Sequence, residues 1–130
     1  MIITGSLDDI AKYKGAFGIL GTENIYCEKR ENGYNSSIMI YESGFAKEVY
    51  KVLDEYSKYL WKAIMRFDFF LEMMILNAGE LQKVFLGQIE DYVANCKGKE
   101  ELPSNCRIVC FPRNPKPHEC SEPWIKTYWE

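Results

Sequence analysis

The chain has 130 residues, 47% of them apolar, and a formal net charge of −3 at pH 7. This length and apolar content suffice for one domain, residues 1–130, with a sizeable core. The mild negative charge excludes a general electrostatic attraction to nucleic acid or to an anionic membrane surface. Aromatic residues make up 15% of the chain, which favours either an aromatic core or exposed anchors for protein recognition.

The amino terminus and the cysteines indicate the compartment. Residues 1–6 lack the basic and apolar regions of a secretory signal. The most apolar stretch, residues 63–76, is interrupted by charged side chains and is too short to cross a membrane. Five cysteines, an odd number, suit a reducing environment better than a disulfide framework. We therefore expect a cytoplasmic protein with free thiols and no membrane partner.

The first elements are short. Ile2 and Ile3 predict a strand, and residues 7–14 predict a helix that begins with a capping pattern. Glycines at regular spacing then follow in residues 15–21, which we interpret as an apolar, bendable connection. Their spacing does not match the dinucleotide-binding fingerprint.

A hairpin is predicted next. Residues 25–30 and 37–42 have the composition of strands, and Asn32-Gly33 lies between them. Both of these residues tolerate positive φ, which makes the pair a strong hairpin signal. We therefore predict that the two flanking segments pair with each other.

Helical periodicity begins at Phe45. Residues 45–77 place apolar side chains on one face and charged side chains on the opposite face, and Gly79 follows where a helix end is expected. A continuous helix of this length would span ~50 Å, more than the ~36 Å diameter of a compact chain of this size. A second helix is predicted over residues 80–96, with Gly87 as its weak point.

Two strands are predicted after the helices, at residues 106–111 and 124–129, with a proline-rich loop between them. The predicted fold class is therefore α+β. A mostly antiparallel sheet, made of the amino-terminal hairpin and the two carboxy-terminal strands, packs on the long central helix and the second helix.

Four soft metal ligands, Cys106, Cys110, His118 and Cys120, lie in this carboxy-terminal segment. On an extended strand Cys106 and Cys110 would be ~13 Å apart, whereas two sulfurs that share a zinc ion lie within about 4 Å. The spacing still allows three of these side chains to lie together: Cys110, His118 and Cys120. However, a cysteine between apolar neighbours is usually a small buried hydrophobe. We predict a protein without metal or cofactor.

Two residue pairs offer an enzymatic alternative. Asp68 and Glu72 are four residues apart on the most apolar part of the long helix, where burial could produce a general acid and base. Carboxylates in such places also pair with a lysine or arginine across the fold. Cys110 with His118 is a second candidate pair. Because no nucleophile elbow or phosphate loop is present, we predict that no residue is catalytic.

The strongest functional signal is a change along the long helix. From Met65 onward the face opposite the core carries Met65, Phe69, Met73 and Leu76 instead of charges. A helix that is apolar on two sides must be covered on both, and methionine and phenylalanine are enriched at interfaces. We predict that these four residues contact another chain. Burial beneath the carboxy-terminal strands is the alternative.

The leading hypothesis is a non-enzymatic interaction protein, a small inhibitor or adaptor that acts by stoichiometric protein binding and forms a homo-oligomer. Its size and character would fit an inhibitor of a host system carried by a phage or mobile element. A small-ligand alternative is a nucleotide-like molecule held in an aromatic pocket by Trp124, with its phosphate at Arg107, Arg113 or Lys116. A small enzyme is the third alternative.

Overall fold

The computed structural model describes residues 1–129. Helices and strands are mixed along the chain, so the α+β prediction is confirmed. The strands are β1 (Ile2–Ile3), β2 (Phe17–Gly21), β3 (Tyr34–Tyr41), β4 (Gly79–Glu80), β5 (Ile89–Asp91) and β6 (Ile108–Cys110). The α-helices are α1 (Asp8–Ala11), α2 (Lys47–Ala63), α3 (Phe67–Met74), α4 (Leu81–Val84) and α5 (Pro123–Trp129).

The strands form two three-stranded sheets. In the first, β6 is central and pairs antiparallel with β1 and parallel with β5. In the second, β2 is central and pairs antiparallel with β3 and parallel with β4. The longest ladder, between β2 and β3, is antiparallel.

The predicted partner of β3 was wrong. β3 pairs with β2, from Phe17 opposite Tyr41 to Gly21 opposite Tyr34, and not with residues 25–30. All five residues of β2 are buried, as expected of a central strand that is covered on both faces. Asn32 does adopt positive φ, at 54°, so the turn signal was correct although the turn belongs to a longer connection.

The glycines before β3 serve close packing rather than bending. The Tyr13 ring lies over Gly15, Gly18 and Gly79. A Cβ at Gly18 would come within 2.6 Å of a methyl carbon of Leu81 and 3.0 Å of the Tyr13 ring. The glycine spacing therefore reflects the close approach of an aromatic side chain to two strands.

The amphipathic segment predicted over residues 45–77 is helical but breaks, so the overhang expected of an unbroken helix does not arise. α2 ends at Ala63, and Ile64 is extended with φ −114° and ψ 112°. At 17 residues, α2 is ~26 Å long. After the break, Ile64, Phe70 and Leu71 all lie in one core cluster.

Two carboxy-terminal predictions were also wrong. The second predicted helix divides into α4, β5 and a π-helical turn, Tyr92–Cys96. Gly87 has φ 72°, which a helix interior does not accommodate. Residues 124–129 lie in α5 and not in a strand, and Pro123 occupies the first helical position, where its fixed φ suits a helix. β6 falls within the predicted strand 106–111.

The two sheets share a core. Leu20 of β2 and Ile38 of β3 pack in one buried cluster with Ile89, Ile108 and Cys110 of the other sheet. α2 differs from the other α-helices because it contains no buried residue. Its apolar side chains pack only partly against the core: Val49, Val52, Leu53 and Leu60. No helix within residues 1–129 is long and apolar enough to span a membrane.

Candidate functional site

Two of the residues predicted to contact another chain, Phe69 and Met73, lie on α3. Met65 lies in the connection before this helix and Leu76 lies just after it, and we call the four residues together the outer face of α3. Met65 is 93% exposed, Leu76 82% and Met73 66%, while Phe69 is half-buried. The opposite side of α3 buries Phe70 and Leu71 in the core. The carboxy-terminal segment therefore does not cover the outer face, contrary to the alternative expectation.

Two arginines hold Phe69 in place. The guanidinium carbon of Arg30 lies 4.8 Å from the centre of the Phe69 ring, and that of Arg66 lies 5.4 Å from it. Arg30 also forms a two-pronged ion pair with Glu72, with N–O distances of 2.6 and 3.1 Å. Stacking and bidentate pairing restrict the arginine rotamers, so this part of the outer face is preorganised.

Asp68 and Glu72 are fully engaged in attaching α3 to β3. Asp68 pairs with Arg66 at 2.6 Å and accepts a hydrogen bond from the Ser36 amide at 2.8 Å. Glu72 accepts one from the Tyr34 amide at 2.8 Å in addition to its pair with Arg30. This is the structural role that such carboxylates commonly have.

A third carboxylate, Glu28, is buried beside this network. It accepts hydrogen bonds from Asn35 (2.9 Å), Arg66 (2.9 Å) and Arg113 (3.2 Å). Burial alone would raise the pKa of Glu28, but the hydrogen bonds from Asn35 and Arg113 and the charge and hydrogen bond of Arg66 outweigh it and lower the pKa. Glu28 is therefore a compensated buried charge.

Exposed aromatic side chains also lie on α2. Trp61 is 52% exposed, and its ring packs against Phe67, the first residue of α3, with centroids 6.5 Å apart. Other aromatic side chains are exposed along α2: Tyr50, Tyr56 and Tyr59. The exposed aromatics that composition predicted are concentrated on the helix that contributes least to the core.

The residues proposed for a nucleotide-like ligand are divided between separate places. Arg107 and Trp124 line a groove of about 420 Å³ together with Glu100 and Glu101, whose charges oppose phosphate binding. Arg113 lines a different groove, of about 710 Å³. The Lys116 ammonium donates to the Phe111 carbonyl oxygen at 3.2 Å. The structure does not gather these four side chains round one ligand.

The cysteine and histidine candidates differ in their burial and in their hydrogen bonds. Cys110 is buried, and burial raises the pKa of its thiol to about 12, so it is not a thiolate at neutral pH. His118 is exposed on a 3₁₀ turn, Pro117–Glu119, and the Cys120 thiol donates to the Lys116 carbonyl oxygen. Within residues 1–129, no group of three or more His, Cys, Asp or Glu side chains has an arrangement that could hold a metal ion.

A polar cavity of about 300 Å³ lies at the carboxyl end of β5. Apolar side chains from both sheets line part of it, and polar side chains line the rest: Glu23, Asn24, Lys29, Gln82, Glu90, Asp91 and Asn95. Gln82 is occupied by two hydrogen bonds with the backbone of Gly21, and the Asn95 amide donates to Glu90. The most buried carboxylate of the lining is Asp91, 6% exposed.

Asp91 is only partly satisfied by the fold. Its Oδ1 accepts a hydrogen bond from the Ala94 amide at 2.8 Å and so caps the π-helical turn. Its Oδ2 is buried, and no donor of residues 1–129 reaches it with hydrogen-bond geometry. Burial raises the pKa of Asp91, although the nearby backbone amides of Ala94, Tyr26 and Val93 lower it. Of these three amides, Ala94 alone meets hydrogen-bond geometry.

Sequence reasoning missed Asp91 because residues 80–96 were predicted to be one helix. Two local signals could have identified the site. Gly87 marks a break, and an aspartate three residues before Ala94 has the spacing of a helix cap. Together they place a buried carboxylate at the end of a strand.

Comparison with known proteins adds no assignment, since no protein family, curated protein or solved structure matches this chain.

Proposed function

We propose that the protein is a non-enzymatic interaction protein, a small inhibitor or adaptor that binds a protein stoichiometrically through the outer face of α3. The observation that carries this proposal is the exposure of Met65 and Leu76, at 93% and 82%, just beyond the two ends of α3, whose Phe69 is already held by two arginines. Single exposed apolar side chains are common, but a group of large ones with aromatic and arginine neighbours is typical of binding surfaces.

Preorganisation supports the same proposal. Binding has to overcome the entropy of every side chain that becomes ordered, at about 0.5–1.5 kcal/mol for a flexible one. Phe69, Arg30 and Arg66 are already ordered by their mutual stacking and by ion pairs with Glu72 and Asp68. A partner would therefore order mainly Met65, Met73 and Leu76, whose flexible side chains adapt well to an apolar surface.

We propose that the protein bound at the outer face of α3 is a second copy of this chain. The charged groups that frame the outer face, Arg30 and Arg66 against Asp68 and Glu72, sum to zero (2 − 2), so two such faces meet without net repulsion. A twofold interface needs a self-complementary surface of about 800 Å² on each partner. This is roughly a tenth of the total surface of 8311 Å², so the contact would have to extend over Trp61.

We place this activity in the cytoplasm. All five cysteines are free thiols, and Cys27 is exposed, which is the state that a reducing compartment maintains.

The test is a double variant, Met65→Glu with Leu76→Glu, measured by light scattering together with circular dichroism. Both side chains are largely exposed, so the fold should be unaffected, whereas a carboxylate desolvated at an interface costs several kcal/mol. We expect a folded monomer in place of an oligomer. Val84→Glu is the matched control, because Val84 is 52% exposed on α4, and it should leave the oligomer intact. A double variant with the wild-type mass would contradict the proposal.

A further inference from the structure

We propose that the cavity at the carboxyl end of β5 is a binding site for a small organic cation, a primary ammonium or a guanidinium, with its charged head on Asp91. This site is separate from the outer face of α3. It would give the protein a small-molecule ligand in addition to a protein partner.

The position of the cavity is the first support. β5 and β6 are parallel, and Asp91 lies opposite Cys110 at the carboxyl ends of both strands. In open α/β sheets ligands characteristically bind beyond the carboxyl ends of parallel strands, and the β5–β6 pair has this arrangement locally. Here the chain leaves β5 through the turn that Asp91 caps.

The charge of the lining is the second support. Glu23, Glu90 and Asp91 are opposed by a single cation, Lys29, so the lining carries 1 − 3 = −2 when the carboxylates are ionised. Glu23 has a partner outside the cavity, Lys83. Neither Glu90 nor Asp91 forms an ion pair with another residue in the described chain. The uncompensated charge selects a cationic ligand over an anionic one.

The chemistry of Asp91 is the third support. An asparagine would accept the Ala94 hydrogen bond equally well, since both residues are good helix caps, and it would avoid the cost of burying a charge. The turn alone therefore does not require a carboxylate. An ammonium or guanidinium would supply the hydrogen-bond donor that the buried Oδ2 lacks.

The apolar part of the lining limits the size of the ligand. Leu20, Ile25 and Ile89 are buried side chains in the wall, and Leu86 lies at the mouth with 77% exposure. A volume of about 300 Å³ is at the lower end of the range for ligand pockets. The expected ligand is thus a short alkyl or small-ring cation rather than a polyamine or a nucleotide.

The test is an NMR titration of the full-length protein with three probes of one size: n-butylammonium, n-butanol and butyrate. The amide of Ala94 is the reporter, because it is hydrogen-bonded to Asp91. We expect saturable shifts with n-butylammonium, at least tenfold weaker binding of n-butanol, and no binding of butyrate. Asp91→Asn should weaken n-butylammonium binding at least tenfold, while Asp54→Asn, the same change at an exposed position of α2, should not.

Three results would overturn the inference. They are equal binding of n-butanol and n-butylammonium, binding of butyrate in preference to the cation, and unchanged affinity in Asp91→Asn. If Asp91→Asn does not fold, the comparison of the three probes on the wild type decides the question alone, and absence of saturable shifts with n-butylammonium counts against the site.

Discussion

Two carboxylates of this molecule, Glu28 and Asp91, are both buried but differ in how far hydrogen bonds and ion pairs compensate their charges. Glu28 is 8% exposed and accepts hydrogen bonds from two arginines and an asparagine. Asp91 is 6% exposed, forms no ion pair in residues 1–129, and has one oxygen without a donor. The pKa of Glu28 is lowered by its partners despite its burial, and that of Asp91 is raised by burial.

The difference indicates which carboxylate is structural. Glu28 lies where the connection after β2, the start of α3 and the loop after β6 meet, through Arg66 and Arg113, so its charge contributes to holding the outer face in shape. Asp91 has no comparable set of partners to offset the free-energy cost of its burial. A costly group beside a cavity is a candidate for ligand binding, since functional sites are where such costs persist.

The largest expected effect comes from Arg66→Met. This change removes a partner of both Glu28 and Asp68 and half of the arginine pair that stacks on Phe69. Loss of one partner of a buried pair costs about 3–5 kcal/mol, and we expect about 2–3 kcal/mol here because Arg113 and Asn35 continue to serve Glu28. Denaturant unfolding followed by circular dichroism measures the loss.

Lys51→Met is the matched control for this variant. Lys51 pairs with Glu48 at 3.4 Å on α2, and both side chains are more than 70% exposed. The stability change should stay within about 0.5 kcal/mol. Equal losses in the two variants would show that Glu28 does not depend on its arginines.

An intermediate effect is expected for Asp91→Asn, with a characteristic pH dependence. The pKa of Asp91 is higher in the folded than in the unfolded state, so its ionisation destabilises the fold as pH rises through the folded value. Asp91→Asn should therefore raise the free energy of unfolding at pH 7. The gain should shrink toward zero below the usual pKa of 3.8.

Glu28 predicts the opposite pH dependence. Its pKa is lower in the folded state, so its stabilisation is complete above the usual value of 4.5 and disappears as pH falls through the folded value. Glu28→Gln should lose stability at pH 7 and approach the wild type in acid. Unfolding curves at several pH values compare both variants directly. If the stability of Asp91→Asn and Glu28→Gln relative to the wild type changed with pH in the same direction, the proposed difference between the two carboxylates would be wrong.

The smallest effect is expected for His118→Ala. His118 is exposed, and we expect no change in stability beyond about 0.5 kcal/mol and no change in oligomeric mass. A hundredfold loss of any activity later found in the protein, with the fold preserved, would correspond to about 2.7 kcal/mol and would favour the enzymatic alternative instead.

Much of the secondary structure could be predicted where one pattern extended over a long segment. The amphipathic α2 followed from its periodicity, and Ile108–Cys110 from its β-branched and apolar run. The break at Ile64 could not be predicted, because no glycine or proline marks it and its cause is burial against residues distant in sequence. The partner of β3 was missed because glycines in β2 suggested a loop, while they actually accommodate Tyr13.

The outer face of α3 and the cavity at Asp91 also differed in how far the sequence could predict them. Met65 and Leu76 could be proposed from the sequence because a change of polarity along a predicted helix is local information, although both residues lie just outside α3. Asp91 could not, since its importance depends on a strand pairing and a cavity that involve both sheets. Arg30 was missed for the same reason, because its stacking on Phe69 joins segments about 40 residues apart.

Native mass spectrometry of the wild-type protein tests the central claim most directly, because it reports the number of chains and any retained small molecule in one spectrum. One chain has a mass of 15.2 kDa. We predict a species of two chains that dissociates in the Met65→Glu, Leu76→Glu variant. A single-chain mass for the wild type at every concentration from micromolar to millimolar would contradict the account that the outer face of α3 joins two copies of this protein.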